Sequence, residues 1–173
     1  KITIFGTSAK YIDAINKLGV QPKKTHKLTQ LKTITSTGSP LSPESFDYVY
    51  TSIKKDVLLS SIAGGTDIIS CFVLGDPTLP VHRGEIQRRG FGLGGQVFND
   101  EGNMIVGEKG ELVCTTPFPS MPIGFWNDKG DRKYLSAYFS DYKNTWCHGD
   151  FIELTKRGTL VIYGRSDAVL NPG

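Results

Sequence analysis

Three segments of the chain gather residue types that can hold a phosphorylated, hydroxyl-rich ligand. The first is Ser36-Thr37-Gly38-Ser39-Pro40-Leu41-Ser42-Pro43. Glycine there lets the backbone approach a flat ligand closely, although a plain strand-to-helix turn uses the same residues. The second is Ile62-Ala63-Gly64-Gly65-Thr66-Asp67. Its glycines clear space, Thr66 offers a hydroxyl and Asp67 a hard carboxylate, a pair that suits a nucleotide phosphate and its Mg2+. An ordinary turn is the alternative. The third is Trp146-Cys147-His148-Gly149-Asp150, followed by Gly158, Leu160 and then Gly164-Arg165-Ser166-Asp167. Asp150 could accept both hydroxyls of a ribose, and Arg165 could pair with a phosphate or a ribose oxygen. A solvated hairpin tied by a salt bridge has the same composition.

Other chemistry is poorly supported. Gly92-Leu93-Gly94-Gly95 lies between strand patterns and opens no helix, so it is not a dinucleotide loop. Gly6-Thr7-Ser8-Ala9-Lys10 lacks the spacing of a phosphate loop and reads as a helix start. His26, His82 and His148 are available, but no G-x-S-x-G elbow accompanies them. Cys71, Cys114 and Cys147 are far apart and form no C-x-x-C, which indicates neither a zinc site nor a disulfide framework and fits a reducing, cytosolic setting. A net charge of +3 is too small and too dispersed for a nucleic-acid surface.

The elements that must position these residues follow from pattern. The chain has 173 residues, 38% of them hydrophobic, enough for a real core and against a disordered chain. Residues 2–5, 31–35 and 57–62 read as strands. Tyr11, Ile12, Ile15 and Leu18 mark a helix capped by Thr7 or Ser8 and stopped at Gly19. Ser42, Pro43 and Glu44 open a second helix, with Phe46, Val49, Tyr50 and Ile53 as its buried stripe. Strand, helix, strand is a parallel βαβ unit, in which ligands sit beyond the carboxyl ends of the strands. The first two segments fall at those ends. The mostly apolar stretch 57–75 contains Ser60, Ser61, Gly64, Gly65, Thr66 and Asp67 at its centre, so it reads as two strands around a polar turn and not as a membrane span.

From Gly75 the pattern turns to β. Residues 84–89, 96–99, 104–106 and 111–116 are expected strands, with a turn at 99–103, a short helix at 132–139, and a hairpin of 150–154 with 159–163. Of 20 glycines, ten fall between Gly84 and Gly130, as short strands and tight turns require. The expected fold is α/β followed by mostly β: an α/β part over 1–75, a β-rich barrel-like or sandwich part over 76–165, and a connection at 166–173.

The ordered set T-G-S-P, G-G-T-D, G-E-L-V, H-G-D and G-R-S-D resembles the adenylate-forming superfamily of acyl-CoA synthetases. Within it the chain is most similar to the branch that joins acetoacetate to coenzyme A, through L-S-P-E-S-F-D-Y-V-Y, G-G-T-D-I-I-S-C-F, G-E-L-V-C-T-T-P, F-W-N-D and G-R-S-D-A-V-L-N-P; the alternatives are another short-chain acyl-CoA synthetase of acetate or propionate type, or a non-catalytic module that retains the fold. The resemblance implies ATP, Mg2+ and coenzyme A as reaction partners, a cytoplasmic setting, and neither nucleic acid nor membrane. It implies that Gly38, Ser39 and Pro40 line the adenine and α-phosphate side. Gly64 and Gly65 would separate nucleotide from acyl group, with Ala63 completing the acyl pocket. Thr66 would hydrogen-bond the α-phosphate. Asp67, where many members carry Glu, would hold Mg2+ directly or through water. Asp150 would bind the ribose hydroxyls, Arg165 ribose or phosphate, and Asp167 would be the hinge. Acetate-specific relatives carry Trp in the stretch aligned with Ala63-Gly64-Gly65, so small residues here imply a larger acyl group. By the same resemblance the chain is expected to be an internal slice of a longer enzyme. The loop for the β- and γ-phosphates would lie upstream and the catalytic Lys downstream, leaving the slice alone inactive and at best a weak ATP binder.

Overall fold

The computed structural model describes residues 1–166. Asp167, expected as the hinge, lies outside the described residues. The chain forms two compact units, one of residues 1–63 and 73–88, the other of residues 64–72 and 89 onward. This division departs from a single boundary at 75. A change of periodicity marks where helices end, but residues 64–72 are already counted in the second unit.

The first unit is a parallel three-stranded sheet, order β1 (Ile4–Ser8), β2 (Thr33–Thr37), β3 (Leu58–Ser61), in register Ile4 to Thr33 and Thr33 to Leu58. Ser8 caps α1 (Ala9–Lys17) by accepting from the Tyr11 N–H at 3.1 Å. Of the expected stripe only Ile12 is fully buried, while Tyr11 and Leu18 are exposed. Tyr11 is one residue, or 100°, away from Ile12 around the helix, and Leu18 already stands at the C-cap. Gly19 follows with φ +65°, a left-handed helix stop that glycine adopts without strain. A short helix, α2 (Pro22–Thr25), precedes β2.

α3 (Pro43–Tyr48) begins as expected, with Pro43 at the first turn and the Ser42 hydroxyl accepting from the Ser45 N–H. It widens into a π-helical turn, Val49–Ile53, that drives Val49 and Ile53 into the core beside Ile34, Phe46 and Leu59. Below this core, Asp76 accepts from the Thr78 N–H and hydroxyl at 2.8 and 2.6 Å and from Arg88 at 2.9 Å. Gln87 clamps the same turn by accepting from the Asp76 N–H and donating to the Asp76 and Leu79 carbonyls.

Three short strands form the second sheet, in order β4 (Ala63–Gly65), β5 (Ser70–Leu74), β6 (Arg88–Arg89). The Gly-Gly pair is therefore extended, and the turn expected at 63–67 falls at residues 66–69. Residues 84–87, expected as strand, are not: Gly84 has φ +78° in a turn closed by the Glu85 N–H on the His82 carbonyl.

The second unit holds an antiparallel sheet, order β10 (Leu160–Arg165), β9 (Trp146–Leu154), β8 (Lys109–Cys114), β7 (Gly95–Phe98). Met104 contributes one bridge to Phe98 and not the expected strand. A 3-10 turn, Lys129–Asp131, leads into α4 (Arg132–Tyr138). Trp146, 2% exposed, stacks on Tyr138 at 3.7 Å and meets Phe118, Tyr134 and Phe139 edge-on. Truncating so large a buried ring costs about 3–5 kcal/mol, so this aromatic cluster anchors α4 and β9. No helix among the described residues is long and apolar enough to cross a membrane.

Candidate functional site

The W-C-H-G-D segment sits on a bulge. Glu111 pairs with Phe151 and Val113 with Cys147, so two steps along β8 answer four along β9. The excess falls on His148, Gly149 and Asp150. Bulges re-aim side chains, and Gly149 makes this one possible at φ +79°. Its freed N–H is not lost: it donates to Glu111 Oε1 at 2.7 Å. Glu111 belongs to G-E-L-V, and this is its structural role, which no spacing rule reveals because the partners lie 38 residues apart.

The bulge presents Asp150, whose side chain is 12% exposed, to Arg165 on β10, with Nη1 3.4 Å from Oδ1. Arg165 also donates to the His148 carbonyl at 3.1 Å. The His148 ring, buried at 3% side-chain exposure, accepts at Nδ1 from Trp146 Nε1 at 3.4 Å and places Nε2 3.7 Å from Asp150 Oδ2.

Asp67 lies in the turn between β4 and β5. Its Oδ1 accepts from the Ile68 N–H at 3.1 Å and its Oδ2 from the Tyr138 hydroxyl at 2.5 Å. Burial, then the Asp67 bond, holds the Tyr138 hydroxyl above the ordinary tyrosine range, so it stays protonated and donates. Each Asp67 oxygen keeps a lone pair, and the carboxylate is exposed. Among the described residues no three His, Cys, Asp or Glu side chains cluster as a metal cage. A single hard carboxylate beside a phosphate is nonetheless the way Mg2+ is commonly held, and Asp67 fits that demand.

A cavity of about 440 Å³ joins these groups, lined among others by Gly64, Gly65, Asp67, Tyr138, His148 and Arg165. Asp150 contacts two of the lining residues. Thr66 is exposed in the turn and is not part of the lining. Cys147 also faces the cavity, but burial and then the Glu111 charge push its thiol up to about 12, which rules it out as a nucleophile near neutral pH.

The glycines answer to the chain itself. A Cβ at Gly64 would lie 2.0 Å from the Ser70 carbonyl oxygen and 2.6 Å from Cys71 Cα, and one at Gly65 would lie 1.9 Å from Asp67 Oδ1. Both glycines give passage to the chain's own atoms, and both also line the cavity. Gly38, Ser39 and Pro40 belong to the first unit. Gly38, exposed with φ +84°, has nothing within 4 Å of an added Cβ, so backbone there is open to approach.

No protein-family model matches the chain. Among curated proteins it is 62% identical over all 173 residues to acetoacetyl-coenzyme A synthetase of Rhizobium meliloti (strain 1021), covering 27% of that protein. It is 51% identical over 172 residues to acetoacetyl-CoA synthetase of Gallus gallus, covering 99% of this chain and 26% of that one. Acetoacetyl-CoA synthetase from Streptomyces lividans superposes with a TM-score of 0.88 at 46% identity over 98% of this chain and 27% of that one. The anthranilate CoA ligase AuaEII, solved with anthranoyl-AMP, shares the fold at TM-score 0.79 and 20% identity, over 100% of this chain and 31% of that one. The chain thus spans about a quarter of the length of the curated relatives it matches, and along its whole length it is homologous to that stretch of proteins named acetoacetyl-CoA synthetase.

Proposed function

We propose that this chain supplies part of the large domain of an ATP-dependent acetoacetate–CoA ligase. The 62% identity to the Rhizobium meliloti acetoacetyl-coenzyme A synthetase across all 173 residues carries the reading. A carboxylate is a poor electrophile until its oxygen bears a good leaving group. The acid attacks the α-phosphate of ATP, the bond to pyrophosphate breaks, and the acyl-adenylate forms. The thiol of coenzyme A then attacks the acyl carbon and releases AMP. Catalysis here is positioning and charge stabilisation.

Thr66 hydrogen-bonds the α-phosphate. Asp67, fixed by Tyr138, would hold Mg2+ directly or through water, and the ion would offset phosphate charge. Asp150 takes the ribose hydroxyls and Arg165 a ribose or phosphate oxygen. Gly38, Ser39 and Pro40 are assigned to the adenine and α-phosphate side on their motif, and Asp167 to the hinge on its motif. The four-stranded sheet belongs to a barrel-like β subdomain. Free Cys71, Cys114 and Cys147 support a cytosolic setting.

Acyl selectivity is assigned to Ala63, Gly64 and Gly65. Because a Cβ at either glycine strikes the chain's own atoms, the selectivity assignment is probed at Ala63. In pyrophosphate exchange by the intact enzyme, acetoacetate is expected to outperform acetate, and Ala63→Trp to lower the acetoacetate rate by about tenfold or more. Preference of the parent enzyme for acetate would overturn the assignment.

A further inference from the structure

The ring of His148 is held on three sides, by Trp146, Phe72 and Gly65. Indole Nε1–H only donates, so His148 Nδ1, which it meets at 3.4 Å, is the acceptor and the ring hydrogen resides on Nε2. Phe72 closes one side edge-on, with centroids 4.8 Å apart. The Gly65 backbone closes another: a Cβ there would lie 3.2 Å from His148 Cε1. Nε2–H is left as a buried donor with no hydrogen-bond partner among the described residues. An unpaired buried donor is costly and demands a reason. The acceptor facing it is Asp150 Oδ2 at 3.7 Å, about 0.7 Å beyond an ordinary N–H···O bond. The other oxygen of that carboxylate faces Arg165.

We propose that His148 is the positioning residue for Asp150, with its Nε2–H poised to close on Oδ2 and turn the carboxylate toward a vicinal diol when a ribonucleotide binds. This rests on the ligase reading above. Trp146 sets the tautomer, His148 brings its donor to Oδ2 and Arg165 meets Oδ1, so the orientation of the carboxylate is set from both oxygens. The aromatic cluster thereby acts on nucleotide selection without touching the nucleotide.

The test compares ATP with 2′-deoxy-ATP in acetoacetate-dependent pyrophosphate exchange by the intact enzyme. The parent is expected to favour ATP by about tenfold or more in kcat/KM, as a site built around a hydroxyl rejects its absence. His148→Phe, which keeps a flat ring but no donor, is expected to shrink that ratio about fivefold, chiefly by raising KM for ATP. His148→Gln, which returns an N–H at similar reach, should recover most of it. Adding His148→Phe to Asp150→Asn should shrink the ratio no further. If the Phe variant does not fold, His148→Leu gives the same readout. An unchanged ratio in the Phe or Leu variant, or an equal loss toward both nucleotides, overturns the positioning role. A parent enzyme without acetoacetate-dependent exchange overturns the ligase reading itself, and the inference with it.

Discussion

At Asp67 both carboxylate oxygens already hold a donor, the Ile68 N–H and the Tyr138 hydroxyl. Such bonds orient a carboxylate and leave its remaining lone pairs directed. Tyr138→Phe keeps the stack on Trp146 and removes the hydroxyl that orients the exposed Asp67 carboxylate. The expected result is an adenylation rate reduced about tenfold, read by pyrophosphate exchange, with the melting temperature little altered because the stacked ring remains. The sequence singles out Thr66, Asp67, Asp150 and Arg165 because a hydroxyl, a carboxylate or a guanidinium beside glycines suggests its own use; Asp67 and Arg165 line one cavity, and Thr66 does not. Tyr138 and His148 are not so marked. A tyrosine near the end of a short helix reads as core, and its service to Asp67 depends on a bond spanning 71 residues.

The bulge of β9 is the element on which the site turns. Its local strain is relieved at two points, the positive φ of Gly149 and the carboxylate of Glu111 beneath it. Glu111→Ala leaves that N–H without its charged acceptor and is expected to cost about 1.5–3 kcal/mol, seen as a lower denaturation midpoint. Glu111→Gln, still offering an oxygen, should retain most of the stability. Strands and caps were readable from alternation and from Ser42-Pro43-Glu44, since these are local signals. Register was not: nothing in W-C-H-G-D says that four residues of β9 span two of β8. The hairpin turn also fell later than the glycines suggested, because Gly64 is needed for the approach of β5 and not for a bend.

Across the whole molecule, acid sensitivity has one identifiable source in the first unit. The Thr78 hydroxyl and N–H, then Arg88, hold Asp76 at about 2, against 3.8 for an ordinary Asp. The unfolded chain therefore binds the proton more readily. The stabilisation is complete above about pH 4 and lost as pH falls through about 2. Asp76→Asn is expected to be less stable than the parent at neutral pH and to lose less stability between about pH 4 and 2, as urea titrations at stepped pH would show. The two-unit division has a consequence for synthesis and recombination. The backbone passes between the units three times, at residues 63/64, 72/73 and 88/89. On the ribosome the first unit waits for residue 88 before its last piece is made, while residues 64–72 wait longer still for the rest of the second. No single crossover or nick can therefore exchange or release either unit whole; a chimera that trades the β-rich unit must carry the nine-residue hairpin 64–72 with it as a separate graft.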